Sequence, residues 1–125
     1  MKLIKIEKLK PIENFGKNRV KWLKKKILSE GFWTKPICIE KNYMLVLDGM
    51  HRLEVAKQIG LKVIPCELFN YDEVEVWSLR PTTCIVTRKE VIHRALSGKI
   101  YPYKTAKHKF PKEIELCKIP LEDLK

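Results

Sequence analysis

A chain of 125 residues, 45% of them hydrophobic, is the size of one domain with a real core. No apolar run approaches the roughly 18 to 20 residues of a membrane helix, and "MKLIKIEKLK" alternates apolar and charged residues where a signal peptide needs a continuous apolar block, so a cytoplasmic protein without membrane contact is expected. Lys and Arg total 26 against 15 Asp and Glu, a net charge of +11 that suits an anionic ligand (nucleic acid, nucleotide or phosphorylated metabolite) and equally suits a solvated, lysine-rich surface.

In chain order, "LIKIEKL" (3–9) reads as a strand and "KPIENFGKN" as a loop broken by Pro11 and Gly16. Arg19–Glu30 reads as a helix: Asn18 can cap it, Val20, Leu23, Ile27 and Leu28 form its apolar stripe, and Gly31 stops it. Pro36–Glu40 and Met44–Leu47 read as a hairpin turning at Lys41-Asn42. After Asp48-Gly49 a second helix runs to Ile59 and ends at Gly60. "KVIPCELF" and "EVEVWSL" read as strands, and Thr87 to Glu90 matches a capping box that opens a third helix ending at Gly98. "KIYPYKTAKHKFP" is a basic loop with aromatics, and "IELCKIPLEDL" can add an edge strand. The order β-α-β-β-α-β-β-α predicts one α/β domain over residues 1–125, with a mixed sheet and three helices.

A zinc site or a disulfide framework is not expected. Cys38, Cys66, Cys84 and Cys117 form no Cys-x-x-Cys pair, and His51, His93 and His108 lack metal-ligand spacing. Cys38 and Cys66 fall in strand patterns, where a thiol serves as a small hydrophobe.

The joint "LVLDGMHRLEV" carries the most chemistry. Strand, glycine, helix is a recipe for holding phosphate, because the free N–H groups of the first helical turn and the helix dipole point at one spot. Gly49 permits close approach, Arg52 can fork onto phosphate oxygens and His51 can donate a hydrogen bond. A carboxylate beside phosphate is repelled, so Asp48 must have a reason to stand there, such as activating a hydroxyl or helping to hold Mg²⁺. The bland alternative is that Asp48 caps the helix and that His51 and Arg52 are solvated.

"VLDGMHRLEVAKQIGLKVIPCEL" resembles the central motif of the ParB/sulfiredoxin-like fold, Gly-x-(His/Arg)-Arg followed by a helix and a strand with an Ile-Pro turn. The resemblance runs from "IEKLKPIE" to "TAKH" and has three branches. Sulfiredoxins place a catalytic Cys where Met50 stands, so that activity is not expected. ParB proteins bind CTP and DNA, with a Glu-Arg-Arg motif and a following helix-turn-helix domain that this sequence lacks. Free L-serine kinases carry Asp-Gly-His-His-Arg, matched by Asp48, Gly49, His51 and Arg52, with Met50 replacing one His. They also carry Pro-His-Glu, matched by Pro11 and Glu13 around Ile12, and Thr-x-(Arg/Lys)-His, matched by Thr105, Lys107 and His108.

This last branch implies a nucleotide-dependent kinase that turns free L-serine into O-phospho-L-serine. Mg²⁺ and ATP or ADP are its implied cofactors, and the donor base is not readable. Gly49, Met50, His51 and Arg52 would then hold the phosphates, Glu13 would be the general base, and Asp48 would assist as base or metal ligand. Thr105, Lys107 and His108 would clamp the serine carboxylate or the incoming phosphate, and Trp77 would wall the amino-acid pocket. Without the resemblance, Glu13 reads as a loop carboxylate, 105–108 as a solvated basic loop and Trp77 as core. The alternative function is a ParB-like, nucleotide-binding, DNA-associated regulatory module. The charge favours it, while the acids Glu13 and Asp48 and the missing helix-turn-helix oppose it.

Overall fold

Apolar residues run almost without a break along the central strands, so both faces of the sheet must be covered. The computed structural model, which describes residues 1–125, shows how. Its main sheet has the order β1 (Lys2–Lys5), β5 (Val63–Phe69), β3 (Ile37–Glu40), β4 (Leu45–Asp48). The β1–β5 and β3–β4 pairs are antiparallel and β3–β5 is parallel, which gives the expected mixed sheet. Helices α1 (Lys17–Glu30) and α2 (Met50–Gln58) cover one face, where Val20, Leu23, Ile27, Leu53, Val55 and Ala56 meet Ile37, Ile39, Val46 and Ile64. Cys38, Leu45 and Leu47 point to the other face and pack with Ile12, Phe69, Tyr71, Tyr101 and Val91 of α3 (Arg88–Ser97). No helix is long and apolar enough to cross a membrane.

Several boundaries differ from the sequence reading, each for a local reason. The first strand ends at Lys5. Ile6–Lys8 then makes a 3-10 turn closed by Leu9 N–H to Ile6 O, which buries Ile6 and Leu9 together. Helix α1 starts two residues early, at Lys17, with Gly16 rather than Asn18 at the cap and no side-chain cap bond. The Gly16 carbonyl accepts the Val20 N–H, so the chain is already helical when it reaches Asn18. Leu28 is 51% exposed, because one step past Ile27 carries it round the helix and off the stripe.

The hairpin turns over Lys41–Met44 rather than at two residues. Buried Glu40 accepts the amides of Asn42 and Tyr43, which ties that longer turn, and Met44 takes a positive φ of 60°. Two small sheets complete the chain. β2 (Phe32–Trp33) pairs with β8 (Ile119–Pro120), so the tail strand joins a two-stranded sheet and not the main one. β6 (Glu75–Ser78) pairs with β7 (Ala106–Lys109), so part of the expected basic loop is strand. Thr87 caps α3, its side chain accepting from the Glu90 N–H, as the capping box predicts.

Candidate active site

A cleft of about 320 Å³ opens where β4 ends and α2 begins. Asp48, Gly49, Met50, His51 and Arg52 line one wall, Glu13 and Asn14 another, and Tyr103, Lys104, Ala106 and Lys107 a third. Arg19 of α1 and Leu79 complete the rim. Three segments remote in sequence, around 13, 48–52 and 104–107, therefore meet at one hollow.

Gly49 is compelled by its surroundings. Its φ is +114°, and a Cβ there would stand 2.3 Å from Ile37 Cγ2. The glycine thus lets β4 turn into α2 directly over β3. Asp48 does not cap α2: the helix has no side-chain cap bond, and the Asp48 carboxylate is exposed with no ion pair or hydrogen bond. The amides of Met50, His51 and Arg52 find no acceptor within the chain, the first closed bond being Leu53 N–H to Gly49 O.

His51 is engaged otherwise than expected. Its Nε2 accepts the Gly16 N–H at 3.0 Å, which ties the start of α1 to the start of α2 and fixes a neutral ring with the proton on Nδ1. Tyr103 packs edge-on against it at 5.4 Å. Burial lowers the proton affinity of His51, and the charges of Arg19 and Arg52 lower it further. Burial likewise lowers that of Arg52, against the pull of Asp48.

Glu13 sits in the loop after the first strand, held by a one-residue bridge to Tyr101. Its Oε2 accepts the Thr105 N–H at 3.2 Å. Burial raises its proton affinity above the usual carboxylate value of 4.5, while the amides of Thr105, Ala106 and Lys104 and the Arg80 charge pull the other way. Lys104 takes a left-handed φ of 58°, which turns these successive amides inward as a backbone nest.

The C-terminal residues divide. Lys107 lines the cleft. Thr105 is fully buried, its hydroxyl donating to Pro102 O at 2.7 Å, so it acts on the cleft only through its amide on Glu13. His108 is 8% exposed and lies behind the cleft, its Nε2 2.8 Å from the Tyr71 hydroxyl and its Nδ1 unpartnered. Neither side chain is a clamp in this geometry: the Thr105 hydroxyl is held by Pro102 O in the turn before β7, and alternation along β7 turns His108 inward and leaves Lys107 facing out. Trp77 is 42% exposed, opposite Lys107 on β6, and is neither core nor cleft wall. Arg19, Tyr103 and Lys104 line the cleft without a motif in the sequence to mark them.

The four-stranded mixed sheet, flanked by α1 and α2 on one face and α3 on the other, defines a single α/β domain. No family model matches the sequence. The chain is 36% identical, over 78 residues, to an ATP-dependent L-serine kinase of Staphylothermus marinus, covering 59% of this chain and 31% of that protein. It is 33% identical, over 70 residues, to a ParB-like protein of Sulfolobus acidocaldarius, covering 51% and 35%. It therefore spans about a third of the length of the curated relatives it matches. A free serine kinase in complex with AMP superposes with a TM-score of 0.89 at 16% identity, over 99% of this chain and 93% of that one. A C-terminally truncated SbnI from Staphylococcus aureus superposes at 0.87 and 14% identity, over 99% and 88%. The chain has the fold of the free serine kinases.

Proposed function

We propose that the cleft transfers a phosphoryl group from a nucleotide to the hydroxyl of free L-serine, giving O-phospho-L-serine. The observation that carries this reading is Glu13: a half-buried carboxylate of raised proton affinity, in one hollow with Asp48 and the free amides of α2. The curated kinase similarity and the AMP- and ADP-bound structural neighbours support it.

Phosphoryl transfer needs a held donor, an oriented hydroxyl and neutralised charge. The amides of Met50, His51 and Arg52, with the Arg52 guanidinium, grip the donor phosphates. Glu13 takes the proton of the serine hydroxyl as its oxygen bonds to phosphorus and the bond from phosphorus to the departing nucleotide oxygen breaks. Thr105 holds Glu13 in place, and Lys107 faces the serine carboxylate or the moving phosphoryl. His51 acts by joining the two helix starts.

No group of three or more His, Cys, Asp or Glu side chains is placed to hold a metal. The residues fit Mg²⁺ carried on the donor phosphates, with the unpartnered Asp48 carboxylate as its protein contact. Bound there, the ion would supply charge neutralisation on the phosphates.

The deciding experiment offers ATP, ADP and CTP with a panel of free amino acids and follows O-phosphoserine by phosphorus NMR. Serine-dependent turnover is expected. The similarity to a ParB-like protein and the charge of +11 favour a second reading, a nucleotide-binding regulator at DNA. No turnover with any hydroxy amino acid, together with salt-dependent DNA binding, would establish that reading instead.

A further inference from the structure

Helix α1 opens with cations. Lys17 and Arg19 stand in its first turn, with no acid beside them. A helix N-terminus is the positive end of the macrodipole, where cations are disfavoured and anions favoured. Arg19 also meets a second helix start, because it lines the same cleft as His51 and Arg52 from the first turn of α2. It lies close enough for its charge to lower the proton affinity of both.

The fold enforces this crowding. The Gly16 N–H bond to His51 pins the two helix starts together, and Tyr103 packs so tightly on Gly16 that a Cβ there would stand 3.1 Å from its ring. Neither Arg19 nor Arg52 forms an ion pair, although Asp48 and Glu13 share the cleft. Two guanidiniums and the positive start of α2 thus converge on one hollow without an internal counter-ion bound to them. An anion that reached both arginines would relieve the repulsion.

We infer that Arg19 is a second phosphate-binding residue, and that Arg19 and Arg52 form a clamp for two or more linked phosphoryl groups in preference to one. The inference rests on the reading of the cleft as a nucleotide site and adds a selectivity to it. A nucleoside di- or triphosphate can offer separate phosphoryl groups to the two arginines. A nucleoside monophosphate offers one group, so it occupies only part of the clamp. When the donor is a diphosphate, the same clamp favours donor over spent nucleotide.

The test is calorimetric titration of the full chain with pyrophosphate, ADP, inorganic phosphate and AMP at low salt. R19Q should weaken pyrophosphate and ADP by roughly ten- to a hundred-fold, the scale of a charge-assisted hydrogen bond, and change phosphate and AMP far less. K17Q removes the same charge from the same turn outside the cleft and should leave all four affinities nearly unchanged. R19K should recover part of the loss, since it restores the charge without the planar fork. The ligand-free R19Q protein should melt no lower than the parent, because repulsion has been removed. Unchanged pyrophosphate and ADP binding by R19Q would overturn the clamp alone, and so would equal losses for ADP and AMP. A parent protein that binds none of the four ligands would overturn the clamp and the nucleotide reading together.

Discussion

Glu13 combines two properties that a base for an alcohol needs. Burial makes it a better proton acceptor than a free carboxylate, and the Thr105 amide holds it in place. Glu13→Gln keeps the size of the side chain and an oxygen for that amide, but cannot accept the hydroxyl proton. The kcat for O-phosphoserine formation should fall by about 10² to 10⁴, with nucleotide and serine affinities changing much less. The acid limb of the rate profile, set by Glu13 above pH 4.5, should vanish in the residual activity. Near-normal turnover would pass the role of base to Asp48. Arg52→Ala should weaken nucleotide binding by about 1.5–3 kcal/mol, and unchanged affinity in a folded variant would remove the phosphate cradle from this joint. That Asp48, Gly49 and Arg52 share one joint is legible because strand, glycine and helix are adjacent in the chain. Arg19 and Tyr103 are not, because only the packing of α1 on α2 brings them to the cleft. One local sign existed: two cations in a helical first turn without an acid. His108 matched a motif by type, yet strand alternation turns it inward.

Helices and strands here are limited by their joints. Gly31, Gly49, Gly60 and Gly98 all have positive φ, but only at Gly49 would a Cβ collide with anything. Gly98→Ala should cost only the left-handed backbone term, about 1–2 kcal/mol. Gly49→Ala adds the overlap with Ile37 and should cost about 2–5 kcal/mol. Urea unfolding of the two variants measures the difference, and equal losses would mean that β3 yields easily to α2. Such joints also explain what sequence periodicity could read. Helices α2 and α3 and the long strand β5 were visible because a stripe or an apolar run persisted for two turns or more. The pairing of β2 with β8 is not readable, since two-residue strands have no period. The start of α1 is not readable locally, because a bond from Gly16 to His51, far along the chain, ties it down.

The whole molecule places a buried histidine between the sheet and its second layer. His108 lies on β7, bonded to Tyr71 and stacked beside Phe110. Burial pushes its pKa down to about 4, against the pull of the Asp48 carboxylate and the Leu47 backbone. The sign of the linkage follows from that depression. Above pH 6.5 the ring is neutral whether the chain is folded or not, and its full contribution to stability is present. As pH falls below 6.5 the unfolded chain takes the proton first, and stability drops until the folded ring also protonates near pH 4. The loss over this window is on the order of 3 kcal/mol. His51 is depressed too and adds in the same direction, whereas Glu13, whose folded pKa is raised, opposes the loss toward the acid end. Urea midpoints should therefore fall steadily from pH 7 to pH 4.5. His108→Phe keeps an aromatic ring against Phe110 and removes the titration, at the expense of the Tyr71 bond. That variant should start less stable at pH 7 and lose distinctly less on acidification. If its midpoint fell as steeply as the parent's, the acid sensitivity would have to be sought in His51 and the carboxylates, and the interlayer histidine would be only a packing residue.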